Sequence, residues 1–484
     1  MNPPDAELIV TSDGDASAHV DLPAITHHPD IQEPPKSLAK AMGQIGPGLI
    51  LAASIVGTGE LINTTSLGAR EGFVLLWLIL LSCVIKVFVQ IELGRYAVTC
   101  GKTTLAAIDT LPGPRLGANW LCWLWLFMML ATNGQIAAME GLVGQAAIMA
   151  IHGPGTPPAG AGITASEPFW ASVTAVAAIA LLLSGGYRRL EKITTFLVAL
   201  VTLVTVACAM QLPVTTAEIG SGLSFALPGA GLVLAFSAFG ITGVGASELF
   251  AYPYWCLEKG YGRATGPNTG DEAWVRRAKG WLRVMRLDAW FSMVVFTLAT
   301  VAFYLMGASV LHDRVAAGQV AGEALKGSGM IRTLSQMYVD VLGPWARGFF
   351  LMGAWAVLFK TLYVATAANS RLTADFLHLG GFWRQADERA KERTVRFFCV
   401  FYPLMALGIY LALREPLTLV AIGGTAQALM LPLIAGAALY LRYRDVDPRV
   451  APSRFSDLMT WAAFLAITVV AAYSVQTMIV GAAK

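Results

Sequence analysis

Long apolar runs alternate with short polar stretches along most of this chain, and the runs are long enough to cross a bilayer as helices. A transmembrane helix needs roughly 20 mostly apolar residues. Segments of that kind lie near 45–69, 73–98, 119–151, 168–185, 192–212, 230–257, 285–310, 346–370, 395–413, 417–441 and 457–480, numbered here as spans 1 to 11. The connection HGPGTPPAGAGITASEP after span 3 has neither helical periodicity nor a basic residue. Residues 1–40 are polar and lack the basic-then-apolar order of a signal peptide, so they are expected to form a disordered tail before a membrane domain over 41–484. His27-His28 falls in that tail and reads as solvated sequence rather than a metal site.

Two spans break their own pattern. Span 1 reads GLILAASIVGTGELI, with Gly57-Thr58-Gly59-Glu60 interrupting the apolar run. Span 6 repeats the phrase as GLVLAFSAFGITGVGASELF, again with glycines and then Glu248. A broken helix frees backbone N–H and C=O groups, which hydrocarbon cannot satisfy and which persist only where protein or a polar substrate meets them. Glycine leaves helical dihedrals at little cost and lets a ligand approach the backbone. Ionisable groups at membrane depth are costly and mark pathways.

The two breaks also order the whole chain. Spans 1–5 (about 45–212) and 6–10 (about 230–441) form two halves of five, and an odd number inverts the second half relative to the first; span 11 is an addition. Matching discontinuous helices at the start of each half point to an inverted-repeat transporter with its site at the bilayer midplane. The prediction is an all-α membrane protein of eleven spans, with spans 1 and 6 discontinuous. A packing alternative stays open: Gly231, Gly240, Gly243 and Gly245 could form a close helix contact, and the carboxylates could pair with Lys86 or Lys360.

Composition and charge sharpen this picture. The 484 residues are 56% hydrophobic and 13% charged, with mean hydropathy +0.61, whereas soluble domains are about a quarter charged. Cytoplasmic loops collect Lys and Arg. With the N-terminus inside, 25 of the 34 basic residues fall on inner segments and seven on outer ones, with Lys86 and Lys360 within spans. A missed or extra span would put the later clusters on the wrong side, so the expected topology is N-terminus cytoplasmic and C-terminus outside, in a bacterial inner membrane. The six cysteines show no metal or disulfide spacing. There is no phosphate loop, His-rich metal motif or nucleophile elbow, so neither an enzyme nor a bound cofactor is expected, and no nucleic-acid partner. Oligomeric state is not readable from the sequence.

From Gly46-Pro47-Gly48 through span 10 the chain resembles the Nramp family of divalent-metal transporters, within the LeuT-fold superfamily. The motifs are GPGLILAASIVGTGELINTTSLGAREGFVLLW and, at the end of span 2, QIELGRYAVTCGKTTLAAI. The resemblance implies a LeuT-like 5+5 inverted repeat. It departs at the site. Where the family carries Asp-Pro-Gly-Asn this chain has Gly57, Thr58, Gly59 and Glu60, and the family's Met-Pro-His falls on Gly245, Ala246 and Ser247. A family carbonyl ligand falls on Thr242.

Loss of the thioether and gain of carboxylates favour a hard divalent cation, Mg²⁺, Ca²⁺ or Mn²⁺, as substrate. Glu60 and Glu248, if they converge, are the metal-binding pair, with carbonyls from Gly57 and Thr242; Thr58 and Gly245 belong to the same breaks. Asn63 follows Glu60 by three residues, on the same face of a regular helix, as a further oxygen ligand or a packing residue. The resemblance implies proton coupling with Glu140, near Asn133, as relay. It places Lys360 where related folds hold a sodium ion by the first break, and Gln427 in a gating region. Lys86 reads as structural. An amino acid or other organic solute is the alternative cargo, bound by helix N-termini. A receptor without transport is a third class, with no positive feature in its favour.

Overall fold

The computed structural model describes residues 31–48, 50, 52, 57, 59–155, 162–184, 188–227, 231–319, 327, 329–382 and 388–482. Residues 1–30, including His27-His28, and Thr58 lie outside the described residues. Among the described residues, ten spans form helices long and apolar enough to cross a membrane. Span 2 is Leu76–Cys100, span 3 Trp120–His152, span 4 Glu167–Ser184 and span 5 Arg188–Met210. Span 6 is two pieces, Leu232–Ile241 and Ala246–Glu258. Span 7 is Glu272–Met306, span 8 Ala346–Leu379, span 9 Glu388–Leu413, span 10 Pro416–Asp445 and span 11 Arg454–Ala482. Span 1 completes the eleven as an irregular element: a turn at Gly57, a π-helical turn over Gly59–Thr64, then regular helix over Thr65–Glu71.

Burial sorts the spans into a core and a rim. Of the most apolar window of span 6, 78% is buried inside the protein, against 22% for spans 4 and 11 and 28% for spans 5 and 9. The rim helices turn large apolar side chains such as Leu203, Phe397 and Val469 outward, as a lipid-facing surface requires. Span 3 packs against spans 8, 9 and 10, and span 2 against span 7. The first half of span 6 lies on span 10 so closely that a Cβ on Gly240 would overlap the Gly424 carbonyl and lie 2.8 Å from Ala428 N. The packing alternative for Gly240 is therefore correct, and it coexists with a true break three residues later.

One ion cluster and one buried carboxylate fasten the end of the bundle where the basic residues gather. Glu92 of span 2 pairs with Arg95 at 3.1 Å and with Arg442 of span 10 at 3.7 Å, while Arg442 also pairs with Asp457 of span 11. Asp288 of span 7 accepts from the backbone N–H groups of Gly46 (2.9 Å) and Gly48 (2.6 Å) and from the Tyr252 hydroxyl (3.2 Å). It thereby satisfies N–H groups at the start of span 1 that have no partner in their own helix.

Span 7 begins well before the apolar window at 285. Asp271 caps it, accepting from Trp274 N at 2.6 Å, and Trp274, Val275, Ala278, Trp281 and Leu282 form a buried stripe at helical spacing while Arg276, Lys279 and Arg283 stay exposed. A hydropathy window averages that amphipathic turn into a loop. Also outside the expectation are a helix over Met330–Leu342 and a two-residue antiparallel pair, Arg115–Leu116 with Ala118–Asn119.

Candidate functional site

The break in span 6 is a backbone feature before it is a chemical one. The helix stops at Ile241; Thr242 is extended (φ −68°, ψ 142°), Gly243 takes φ +65°, and helix resumes at Ala246. Left-handed φ favours glycine because a Cβ would crowd the backbone, and here it would also lie 3.0 Å from Cys83 Cα. Stopping the helix frees the carbonyls of Phe239 and Thr242. Both accept from Lys86 Nζ of span 2, at 2.8 and 2.6 Å, and from Ser82 Oγ at 3.2 Å each. The Thr242 carbonyl, expected to face the substrate, is thus turned to a lysine, because a buried ammonium and a buried free carbonyl each need the other.

On the far side of the break, the new helix starts with Ser247 and Glu248. Ser247 Oγ donates to Glu248 Oε2 (2.8 Å) and lies 3.0 Å from Gln427 Oε1, which also accepts from Ser247 N at 3.1 Å. Gln427 Nε2 reaches Gln135 Oε1 of span 3 at 3.5 Å. Gly245 makes this convergence possible: a Cβ there would lie 2.5 Å from Glu248 Oε2 and 2.6 Å from Gln427 Oε1. The carboxylate in the first turn also lies at the favourable end of the helix dipole.

These groups border a cavity of about 70 Å³ between spans 1, 3, 6, 8 and 10. Its polar lining is Glu248, Ser247, Gln427, Gln135, Asn369, Thr361 and Thr132, and its apolar walls include Ile136, Met139, Ile241 and Trp255. Gly59 contributes span 1, and Gly57 lies against Thr361, whose Oγ1 would be 2.8 Å from an added Cβ.

Glu60 does not join that lining. It sits on the π-helical turn, whose carbonyls at Gly59 and Glu60 are taken by the hydroxyls of Thr64 (2.9 Å) and Thr65 (3.1 Å). Its Oε1 accepts from Thr300 of span 7 at 3.2 Å, and its Oε2 has no hydrogen-bond partner. It is fully buried, whereas Glu248 is partly exposed. Asn63 donates to Ser237 Oγ at 2.9 Å and leaves its carbonyl oxygen unpartnered. Glu248 borders the cavity and Glu60 does not, and among the described residues no three His, Cys, Asp or Glu converge as a metal cage.

The remaining candidates are dispersed. Glu140 of span 3 is wholly buried with neither carboxylate oxygen hydrogen-bonded. Asn133 donates to Tyr402 O at 3.3 Å. Lys360 donates to Thr195 of span 5 at 2.8 Å, tying spans 8 and 5, while its neighbour Thr361 occupies the ground beside the first break. Sequence reasoning did not single out Ser247, Gln135, Asn369 and Thr361, which line the cavity, or Thr300, which bonds Glu60. Only Ser247 carried a signal, its place beside Glu248 in the second break.

A family model described as Nramp, natural resistance-associated macrophage protein-like, matches residues 48–477. An uncharacterized protein of Pasteurella multocida (strain Pm70) is 24% identical over 350 residues, 69% of this chain and 70% of that protein. Among solved structures, a manganese transporter of Eremococcus coleocola aligns with a TM-score of 0.63 at 16% identity, over 93% of this chain and 90% of its own. MhsT, in complex with L-phenylalanine, gives 0.50 at 15% identity over 91% and 100%. Mhp1, a nucleobase-cation-symport-1 family transporter with bromovinylhydantoin bound, gives 0.53 at 13% over 90% and 92%. At these identities the solved structures establish the fold, the LeuT-like pair of five-helix halves, and leave the cargo to be argued from the site.

Proposed function

The chain belongs to the Nramp family, whose members are metal ion transporters and not enzymes, and on that premise we propose that it carries a hard divalent cation of the Mn²⁺ or Mg²⁺ kind by alternating access. The observation that carries the reading is the cavity at the span 6 break, about 70 Å³ in volume and bordered by one carboxylate and several neutral oxygens. Pockets for organic ligands run to about 300–1,000 Å³. A cation with one or two waters fits the smaller space.

Glu248 is the principal charged ligand in this reading, with Ser247, Gln427 and Asn369 as neutral oxygen donors and water completing the shell that hard cations demand. Met139 supplies the one sulfur in the cavity wall. Oxygen donors outnumber it, which favours Mn²⁺ or Mg²⁺ over softer ions. Glu60 acts through its charge rather than by contact. The cation crosses while the halves rock about the breaks, and Glu140, a buried carboxyl without a hydrogen-bond partner, serves as proton relay. The bias of basic residues supports an inner-membrane orientation with the N-terminus cytoplasmic and the C-terminus outside.

Reconstitution in liposomes tests the reading. Uptake of Mn²⁺ and Mg²⁺ is measured beside a labelled amino-acid panel, with Glu248→Gln as the comparison. Divalent uptake that collapses in the variant is expected. Uptake of an amino acid with no divalent flux overturns the proposal in favour of an organic cargo, and undiminished flux in Glu248→Gln removes the carboxylate from the mechanism.

A further inference from the structure

Lys86 is a fully buried charge that the transport reading leaves without a task. It cannot snorkel, because none of its surface reaches solvent or lipid. Its acceptors are two main-chain carbonyls, Phe239 O at 2.8 Å and Thr242 O at 2.6 Å. Around the same spot Ser82 Oγ lies 3.2 Å from each carbonyl, Thr242 Oγ1 lies 3.0 Å from Ser82 Oγ, and the Phe239 ring centroid is 5.4 Å from Nζ. Glu60 and Glu248 act on the ammonium at longer range through their charge.

Two carbonyls freed by a helix break hold the ammonium, with hydroxyls bonded beside them and an aromatic ring nearby, and such freed carbonyls are the groups with which unwound backbone in membrane proteins coordinates a bare monovalent cation. Here the place is filled from within the chain. We propose that the Lys86 ammonium is a resident cation occupying a monovalent-cation site at the span 6 break, and that this site accepts sodium or a small alkylammonium ion once the ammonium is removed. The lysine fixes the break, withholds the Thr242 carbonyl from the transported ion, and makes a free sodium ion unnecessary. Selectivity is then left to the oxygens on the cavity side of the break, around Glu248.

The inference needs the transport reading only for its uptake measurements; a melting temperature tests it alone. Wild-type protein and the variants Lys86→Ala, Lys86→Met and Lys86→Arg are compared in NaCl, choline chloride and propylammonium chloride at equal ionic strength. Wild type is expected to melt alike in all three and to take up Mn²⁺ equally in sodium and choline. Lys86→Ala is expected to melt higher in sodium or propylammonium than in choline, and to regain uptake there. Lys86→Met, whose apolar chain fills the space without a donor, is expected to lose about tenfold or more in uptake, as a buried break does without its charged donor, and to gain nothing from either cation. Lys86→Arg retains partial uptake, because its guanidinium still donates. A wild type that requires sodium overturns the proposal, and this holds even if Lys86→Ala does not fold. A folded Lys86→Ala indifferent to all three cations, or a Lys86→Met with wild-type uptake, overturns it as well.

Discussion

Glu248 and Glu60 stand in the two interrupted spans, each just beyond a glycine-rich break, and their surroundings differ in nearly every respect. Glu248 opens a regular helix, receives a serine hydroxyl, and borders a cavity beside Gln427. Glu60 lies inside a π-helical turn, fully buried, with one oxygen on Thr300 and the other without a hydrogen bond. The repeat duplicates a backbone interruption but not the work assigned to it. The neighbours that each half acquires from the rest of the bundle are not symmetric: span 10 supplies an amide to Ser247 beside Glu248, and span 7 a hydroxyl to Glu60 itself.

The contrast is sharpest in a pair of charge deletions. Glu248→Gln is expected to reduce divalent uptake at least about a hundredfold, because it removes the one carboxylate in contact with the cavity. Glu60→Gln, which keeps a group able to bond Thr300, is expected to cost only about tenfold, as loss of a longer-range attraction. Equal losses in uptake assays would erase the distinction between the two breaks. Next in size, Gly245→Ala inserts a methyl between Glu248 and Gln427, and about tenfold weaker Mn²⁺ binding by calorimetry is the expected result. Wild-type affinity would show that these oxygens need not converge. Glu140→Gln is expected to flatten the pH dependence of uptake while changing the maximum rate by only about threefold, as for a proton-relay residue that never touches the metal; an unaltered pH profile would take Glu140 out of the relay.

The smallest effect is a control far from both breaks. Arg449 grips Asp447 at 2.7 Å between spans 10 and 11 and holds its carboxyl down to about 2. Because the folded value is depressed, the contribution is complete above the ordinary aspartate range near 4 and is lost as pH falls toward about 2. An exposed pair is worth little. Melting of Asp447→Asn should therefore match wild type within about 1 °C at pH 7, and uptake should be unchanged.

Most of the architecture was legible because the bilayer forces it. Apolar length gave most spans within a few residues of their observed ends; the exceptions are span 7, which begins at Glu272, span 8, which runs on to Leu379, and span 9, which begins at Glu388, each lengthened by helix that carries charged or polar residues. The breaks were legible too, since glycines and carboxylates in apolar runs have few other uses. The orientation of each side chain at the breaks was not. Glu60 belongs to a π-helical turn closed by Thr64 and Thr65 hydroxyls, and that register shift redirects everything after Gly59 in a way helical spacing does not foresee. Thr242 faces Lys86 because two residues far apart in the chain satisfy one another. Lys360 donates to Thr195 of span 5, and its neighbour Thr361 lies beside Gly57. Long-range pairing of that kind leaves no periodic trace.

The contact between Gly240 and Gly424 has a steric result. With main chain this close to main chain, the first segment of span 6 and the facing stretch of span 10 leave no room for a Cβ at Gly240 or Gly424. Beyond Gly243 the same span borders the hollow with Ser247 and Glu248 and buries Leu249, Phe250, Tyr252 and Cys256 against its neighbours. The left-handed residue between them therefore divides a segment that tolerates no added side chain from one whose position is set by the side chains it buries.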